Sequence, residues 1–284
     1  MWQYRERAGK KAIKTSTHDN TLEVTWTLIP TALVAVMFWV GFKGFLDLKQ
    51  APEGSYEVEL RAFQWGWDFV YPNGANDNVL HVPANEPVRL VMYSDDVLHS
   101  LFIPAFRVKQ DIVPGRYTSL WFEATQAGEY DLFCTEYCGT SHSAMITKVV
   151  VHETREAFDV WLAKAADYIT GEPPVEAGAT AFRKKGCANC HAPVIDANTP
   201  DAQKYGPAFI DVSTAIAEKK PITFEDGTSL VPDENYIRES ILMPNAKRKP
   251  GYEGKNMSLY AGRIKDEEIN VLIAWIKSLH SANQ

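Results

Sequence analysis

Cysteine is scarce in this 284-residue chain, which contains only four, and these four lie in two close pairs. Four thiols are too few to stabilise a disulfide-rich secreted fold, and such pairs are more typical of metal or cofactor binding. Basic residues are not in surplus either, because 36 acidic residues face 29 basic ones. The net charge of −7 excludes nucleic acid as an expected partner, since too few cations remain to neutralise phosphates.

Long hydrophobic runs are absent except for one, which extends from Val24 to Phe42 without a charged side chain. As a helix this run would measure about 28 Å, close to the thickness of the hydrocarbon core of a bilayer. A cleaved signal peptide is the alternative, but the run is longer than usual and no A-x-A site follows it. The sequence therefore predicts one membrane-spanning helix, and the basic residues before it favour a cytoplasmic N-terminus: Arg5, Arg7, Lys10, Lys11 and Lys14.

Beyond this run the sequence changes from strand-like to helix-like patterns. The region from Tyr56 onward begins with the alternating run YEVELRAF and continues with short β-branched runs separated by Gly, Pro and Asn clusters, which predict an all-β sandwich. A helical spacing follows at 153–169. Residues 170–178 are predicted to be a linker, because their two prolines cannot extend a helix, and mostly helical patterns continue from there to the end. We predict a multidomain protein in four parts: a basic segment and transmembrane anchor (1–50), a β domain (51–152), a helix and linker (153–178) and an all-α domain (179–284).

The first cysteine pair belongs to a group of soft metal ligands. Cys134, Cys138, His142 and Met145 follow one another closely, and His99 lies upstream of them. Thiolate, thioether and imidazole together are the ligands that copper prefers. A mononuclear copper site needs only one cysteine, so the second thiolate favours two bridged copper ions. A disulfide within the pair and a mononuclear site stay open as alternatives.

The second cysteine pair forms the pattern C-x-x-C-H, which is typical of covalent haem attachment. It consists of Cys187, Cys190 and His191. A zinc site or a redox-active disulfide is the alternative for the cysteines alone. We expect a methionine as the second axial ligand of the iron, and Met243 and Met257 both follow in the helical part.

The copper motif, together with the motif QWGWDF at 64–69, resembles the CuA domain of cytochrome c oxidase subunit II. The resemblance implies a cupredoxin-like fold and a dinuclear centre with two bridging cysteines, a histidine on each ion, a weak methionine and a backbone carbonyl. By this resemblance, Cys134 and Cys138 bridge the two ions, and His99 and His142 bind one ion each. Met145 is the weak ligand, and Glu136 supplies the backbone carbonyl. The Glu136 carboxylate would also reach a magnesium ion shared with subunit I, and Trp65 would admit electrons.

The C-terminal part resembles the class I cytochrome c domain that is fused to subunit II in some bacterial caa-type haem-copper oxidases. The resemblance implies that Met257 is the axial ligand, because it follows a Gly-Tyr pair and precedes the last helix. The family usually has proline after this methionine, whereas this chain has Ser258. The segment YGPAF resembles the loop in which the carbonyl of Pro207 would accept a hydrogen bond from His191. Phe182 and Trp275 are expected to pack the first and last helices of this domain together.

As a whole the resemblance implies an electron-transfer subunit of the respiratory chain in the bacterial inner membrane, with both extramembrane domains on the periplasmic side. Electrons would pass from cytochrome c or a quinol-oxidising complex to haem c, then to CuA, then to haem a of subunit I. There dioxygen is reduced and protons are translocated. A nitric oxide or nitrous oxide reductase, or a membrane-tethered electron shuttle, is the alternative. The family normally has two spans before the CuA domain, and a late start, a truncation and a true absence of the first span all stay open.

Charge is distributed unevenly between the two predicted extramembrane domains. Residues 56–178 hold 18 acidic and 8 basic residues, whereas basic runs occur at 183–185 and 247–249. We expect the domain that carries these runs, or a basic soluble electron donor, to approach the acidic β domain by electrostatic attraction, and Asp95 and Asp96 to help dock the partner. Ordinary solvation of these charges is the alternative.

Overall fold

The computed structural model describes residues 8–9 and 17–282, which form two compact units divided after Gln50. The first unit contains helix α1, Asn20–Lys49, and the predicted apolar run lies inside it. Asp19 caps this helix, because its carboxylate accepts hydrogen bonds from the first-turn amides. The helix is long and apolar enough to cross a membrane. The five basic residues predicted before the span lie outside the described residues.

The second unit begins with a sandwich of two five-stranded sheets. The strands are β1 (Tyr56–Phe63), β2 (Gly66–Val70), β3 (Asn76–Asp77), β4 (Leu80–Pro83), β5 (Pro87–Ser94), β6 (His99–Ile103), β7 (Val108–Ile112), β8 (Thr118–Glu123), β9 (Gly128–Cys134) and β10 (Ile146–His152). One sheet has the order β3-β2-β1-β5-β8 and the other has the order β4-β10-β9-β6-β7. Pairing is parallel between β1 and β5 and between β4 and β10, and otherwise antiparallel.

Alternating side chains build the core between the sheets. In β1, Val58, Leu60 and Ala62 are fully buried, whereas the intervening residues are exposed or half-buried. This period of two places every second side chain on the inner face, as the sequence pattern predicted. The predicted sandwich is therefore confirmed.

Helices dominate the rest of the unit. They are α2 (Arg155–Ala166), α3 (Pro174–Lys184), α4 (Phe209–Ala217), α5 (Glu234–Leu242) and α6 (Asp266–Ala282), and a small hairpin of β11 (Ile222–Thr223) and β12 (Ser229–Leu230) precedes α5. The predicted linker is wrong in its second half, since α3 already begins at Pro174. A proline is tolerated at the first helical position because its missing N–H would have no intrahelical partner there.

Close packing of α3 against α6 forms the core of the helical part. The rings of Phe182 and Trp275 lie 4.6 Å apart, which confirms their predicted contact. Gly178 permits this approach, because a Cβ atom there would lie 2.1 Å from the carbonyl oxygen of Val271. A glycine inside a helix costs stability relative to alanine, so its presence here reflects the need for backbone contact.

We expect Gly178→Ala to lower the free energy of unfolding by about 2 kcal/mol, despite the better helix propensity of alanine. The reason is that the added methyl group meets a backbone oxygen, which cannot rotate away. Chemical denaturation followed by circular dichroism measures this effect. Glu176→Ala, an exposed change on the same helix, is the control and should alter stability by less than about 0.5 kcal/mol. Equal stability of the two variants would contradict this account of the helix contact.

Candidate copper and haem sites

The candidate copper ligands meet where two strands of one sheet end. Cys134 is the last residue of β9, and the loop between β9 and β10 carries Cys138, His142 and Met145. His99 is the first residue of β6, which pairs with β9 so that Leu101 lies opposite Cys134. The sheet register therefore brings a histidine from a distant part of the chain to the cysteine loop.

Short distances join the donor atoms into one cluster. The two sulfur atoms, Sγ of Cys134 and Sγ of Cys138, lie 3.8 Å apart, so they are close but not bonded as a disulfide. His99 Nδ1 lies 3.9 Å from the first sulfur, and His142 Nδ1 lies 3.5 Å from the second. Met145 Sδ lies 3.8 Å from Cys138 Sγ. All of the candidate side-chain ligands thus converge on the cysteine pair.

The backbone adds an oxygen to this cluster. The carbonyl oxygen of Glu136 lies 3.3 Å from Cys134 Sγ, and the residue as a whole is half-buried. The hydrogen bond from Cys138 lowers the pKa of Cys134, and the pKa of Cys138 rises because it retains the shared proton. Such a buried set of soft donors with one readily formed thiolate fits copper.

Asp96 orients the candidate ligand His99. Its Oδ1 lies 2.9 Å from His99 Nε2, and its Oδ2 accepts a hydrogen bond of 2.7 Å from the backbone N–H of Gln64. Burial alone would raise the pKa of Asp96, but these hydrogen bonds and one from Val97 together lower it. The carboxylate therefore leaves Nδ1 as the nitrogen that faces the sulfur cluster.

Two tryptophans of the QWGWDF motif have different surroundings. Trp67, in β2, is 2% exposed and packs in the sandwich core, with its ring 6.4 Å from that of His99. Trp65 lies in the turn between β1 and β2, and its Nε1 donates a hydrogen bond of 3.1 Å to the carbonyl oxygen of Cys138. Of the two, only Trp65 is hydrogen-bonded to the cysteine loop in the described part of the chain.

The candidate haem ligand His191 is buried in the helical part. Its Nδ1 lies 2.9 Å from the carbonyl oxygen of Pro207, which confirms the contact expected from the YGPAF segment. The ring of Phe209 stacks on the imidazole with a centroid distance of 4.9 Å. A Cβ atom on Gly206 would approach the ring to 2.2 Å, so only glycine fits beside it. These contacts fix the ring plane and leave Nε2 for the iron.

A largely apolar cavity opens beside His191. Cys187, Cys190 and Met257 line it, whereas Met243 is 56% exposed and is not among its lining residues. Burial raises the pKa of Cys187 to about 12 and that of Cys190 to about 11. Such thiols are unsuited to the redox-active disulfide considered above, which needs a readily formed thiolate. The cavity and its lining fit a haem group.

Part of the cavity wall comes from the sandwich. Phe63, Gln64 and Trp65 line it together with residues of the helical part, and the ring of Trp65 contacts the ring of Tyr205 edge-on at 4.7 Å. Trp65 therefore lies between the copper cluster, to which it is hydrogen-bonded, and the haem cavity.

Ion pairs hold the helical part against the sandwich. Lys184 Nζ lies 2.7 Å from Asp77 Oδ2, and both side chains are mostly buried. Arg263 lies 3.4 Å from Asp95 and also covers the ring of Phe63. The predicted docking role thus holds for Asp95, whereas Asp96 instead contacts His99.

The two basic runs behave differently from each other. The run at 183–185 contacts the sandwich through Lys184 and also through Lys185, whose Nζ donates a hydrogen bond of 2.9 Å to Asn76. The run at 247–249 instead forms ion pairs within the helical part, where Lys247 pairs with Glu239 and Lys249 pairs with Asp211. The expectation that both runs dock on the acidic domain is therefore wrong for 247–249.

Comparison with known proteins agrees with this division of sites. Residues 71–153 match the family model of the periplasmic domain of cytochrome c oxidase subunit II, and residues 175–280 match the model of cytochrome c. The chain is similar to cytochrome c oxidase subunit 2 of Alkalihalophilus pseudofirmus, with 31% identity over 98% of this chain and 79% of that protein. The chain belongs to the cytochrome c oxidase subunit 2 family.

Further relatives in the subunit 2 family cover smaller parts of the chain. Cytochrome c oxidase subunit 2 of Cereibacter sphaeroides is 30% identical over 58% of this chain and 67% of its own length. The crystal structure of the periplasmic domain of subunit II of cytochrome oxidase from Bradyrhizobium japonicum is 28% identical, with a TM-score of 0.40. The match with this domain covers 43% of this chain and all of the domain. The two matched models imply CuA copper in the sandwich and haem c in the helical part.

Sequence reasoning missed several residues that complete the sites. Gln64 contacts the cysteine loop, Tyr205 contacts Trp65, and Gly206 lies against His191. All three lie inside the recognised motifs QWGWDF and YGPAF, but no role was assigned to them. Asn189 stood inside the haem-attachment motif as an unassigned spacer, and Ser258 was visible only as a departure from the family pattern.

We expect Asp96→Ala to weaken copper binding by about tenfold to a hundredfold, because His99 loses the partner that orients its ring. Titration of the purified chain with copper against a competing chelator measures the affinity. Asp131→Ala removes an exposed carboxylate that pairs only with Lys148 among its described partners, so it serves as the control. Unchanged affinity in the Asp96 variant would show that the carboxylate does not orient the ligand.

Proposed function

We propose that the chain is the electron-transfer subunit of a haem-copper oxidase that reduces dioxygen and translocates protons. Its bound haem c and CuA centre would relay electrons from a donor to haem a of subunit I. The position of Trp65 carries this proposal, because this single residue both lines the haem cavity and donates a hydrogen bond to the carbonyl of Cys138. We infer that Trp65 is where electrons reach the copper centre.

The clustered side chains support specific roles in holding copper. Cys134 and Cys138 would bridge two ions, and His99 and His142 would bind one ion each. Met145 would be a weak ligand, and the carbonyl of Glu136, which lies beside the cysteine sulfur, would complete the set. These residues converge on the cysteine pair, and a fixed set of ligands would keep the geometry of the site nearly unchanged when charge moves.

The haem cavity supports a corresponding set of roles. Cys187 and Cys190 would form thioether bonds to the porphyrin, and His191 and Met257 would be the axial ligands. The carbonyl of Pro207 holds the imidazole from behind, at 2.9 Å. The largely apolar lining would limit the access of water to a bound iron, which would favour its reduced form.

Burial of Trp65 supports the order of the relay. The residue is 5% exposed, and residues of the helical part cover it. An external donor cannot contact this ring while the helical part stays in place, so electrons would arrive through haem c. The buried pair of Lys184 and Asp77 supports a permanently docked arrangement, in which transfer from haem c to CuA depends little on salt.

Membrane attachment and partners complete the proposal. Helix α1 would anchor the chain in the bacterial inner membrane, with the sandwich and the helical part on the periplasmic side. The carboxylate of Glu136, a half-buried residue, would reach a magnesium ion shared with subunit I, and further oxidase subunits would complete the complex. We propose that residues 1–50 are the anchor, 51–152 the CuA domain, 153–178 a helix with a linker, and 179–284 the cytochrome c domain. Helix α3 begins inside the third of these segments. Cytochrome c or a quinol-oxidising complex would be the donor.

Spectroscopy of the purified oxidase tests this function. We expect photoreduced haem c to be oxidised rapidly while CuA is reduced, which is seen as a loss of the near-infrared CuA band. We also expect haem a to copurify. Cys138→Ser should remove the near-infrared band and leave the haem c band, because the two sites use different thiols. Copurification of haem b or of a copper–sulfide cluster instead of haem a would overturn the proposal in favour of a nitrogen-oxide reductase.

A pair of methionine variants tests the axial ligand. We expect Met257→Ala to convert the haem from low-spin to high-spin, because it removes the one methionine of the two candidates that lines the cavity. Met243→Ala, at an exposed position, is the matched control and should keep the low-spin spectrum. Absorption and resonance Raman spectra distinguish these states, and the reverse pattern would assign Met243 as the ligand.

A further inference from the structure

Two adjacent residues of the sandwich, Gln64 and Trp65, contact the copper loop with their side chains. Gln64 Nε2 donates a hydrogen bond of 2.7 Å to the carbonyl oxygen of Cys138, and Trp65 Nε1 donates to the same oxygen at 3.1 Å. Gly139 follows that carbonyl, and a Cβ atom there would lie 3.0 Å from the Trp65 ring and 3.1 Å from Gln64 Nε2. The two side chains are therefore fitted closely to the loop that carries the copper ligands.

The backbone of the same dipeptide contacts the haem-binding part. Ser258 Oγ donates a hydrogen bond of 2.9 Å to the carbonyl oxygen of Gln64, and Asn189 Nδ2 donates one of 3.1 Å to the carbonyl oxygen of Trp65. Gly66 has no side chain to obstruct this contact, since a Cβ atom there would lie 2.9 Å from Asn189 Nδ2. Two consecutive carbonyls thus receive one donor each from the other domain.

The positions of the two donors in the sequence are informative. Asn189 lies between the haem-attachment cysteines, and Ser258 directly follows the proposed axial ligand Met257. Each of the two segments that would hold the haem therefore sends one short polar side chain to the dipeptide. Short side chains bound to backbone carbonyls define a position more narrowly than long flexible ones, because they lose few rotamers on binding.

We propose that Asn189 and Ser258 are positioning residues that hold the haem-binding segments on the carbonyls of Gln64 and Trp65, whose side chains in turn bind the copper loop. This inference rests on the proposed relay function and names residues that set its transfer distance. The ion pairs of Lys184 and Arg263 hold the two domains together through other residues. Loss of the two hydrogen bonds should therefore alter the relay without separating the domains.

Variants of the two donors in the assembled oxidase test the proposal. Ser258→Ala and Asn189→Ala each remove a donor without adding a charge, and Ser258→Thr retains the hydroxyl. We expect each donor-deleting variant to slow transfer from photoreduced haem c to CuA severalfold, because the haem-binding segment would no longer be held close to the copper loop, and the double variant to slow it further. Ser258→Thr should keep the original rate. Ser229→Ala and Asn235→Ala, at exposed positions of the helical part, are matched controls.

A second measurement does not depend on electron transfer. Hydrogen–deuterium exchange of the peptide that contains 64–66 should become faster in the double variant, whereas exchange around Lys184 and Asp77 should stay slow. Haem content and the near-infrared band, measured on the same samples, identify any variant that fails to assemble, and Ser258→Ala lies outside the attachment motif.

The possible results separate this inference from the proposed function. Unchanged transfer and unchanged exchange in a fully loaded double variant would overturn the positioning role. Faster exchange at Lys184 and Asp77 as well would also overturn the positioning role, because Asn189 and Ser258 would then hold the whole interface together. Failure of haem c to reduce CuA in the unaltered protein would instead contradict the relay itself.

Discussion

One carbonyl oxygen, that of Cys138, organises the contact between the two redox sites. It accepts two hydrogen bonds from neighbouring side chains, and the residue that carries it also contributes a sulfur to the copper cluster. A displacement of the cysteine loop would therefore move Gln64 and Trp65, and with them a wall of the haem cavity. Asp96 reinforces this coupling, because it binds both His99 and the backbone of Gln64. The copper ligands and the haem cavity are consequently parts of a single hydrogen-bonded assembly.

Local patterns were sufficient to predict the elements and most of the candidate ligands. The alternation in β1 follows from the period of a strand, and the structure has it. The contact of Phe182 with Trp275 was expected because they were placed on the first and last helices of one domain, and it is also present. The cysteine motifs could be recognised because their ligands are close in sequence, as Cys187 and His191 are. Helix α3 was predicted to begin too late because two prolines were taken as a helix barrier, although Pro174 occupies the first position.

Contacts between distant segments could not be predicted in the same way. The hydrogen bond from Ser258 to Gln64 joins residues 194 positions apart, and no period or spacing relates them. Charge was a partial guide: it indicated that 183–185 would meet acidic residues, as Lys184 does with Asp77. It failed for 247–249, because composition says nothing about nearer partners such as Glu239 and Asp211.

A buried ion pair shows why the domains take one orientation. Lys185 Nζ lies 2.9 Å from Glu268 Oε1 on α6, and Tyr168 donates a hydrogen bond to the same carboxylate. The ammonium group also donates to Asn76 of the sandwich. Removing both charges from water costs about as much as their attraction returns, so the pair adds little net stability. A displaced interface would leave the ammonium group or the amide oxygen of Asn76 buried without its partner, and this penalty disfavours other orientations. Hydrophobic contacts hold the helical part together, and polar contacts determine how it sits on the copper domain.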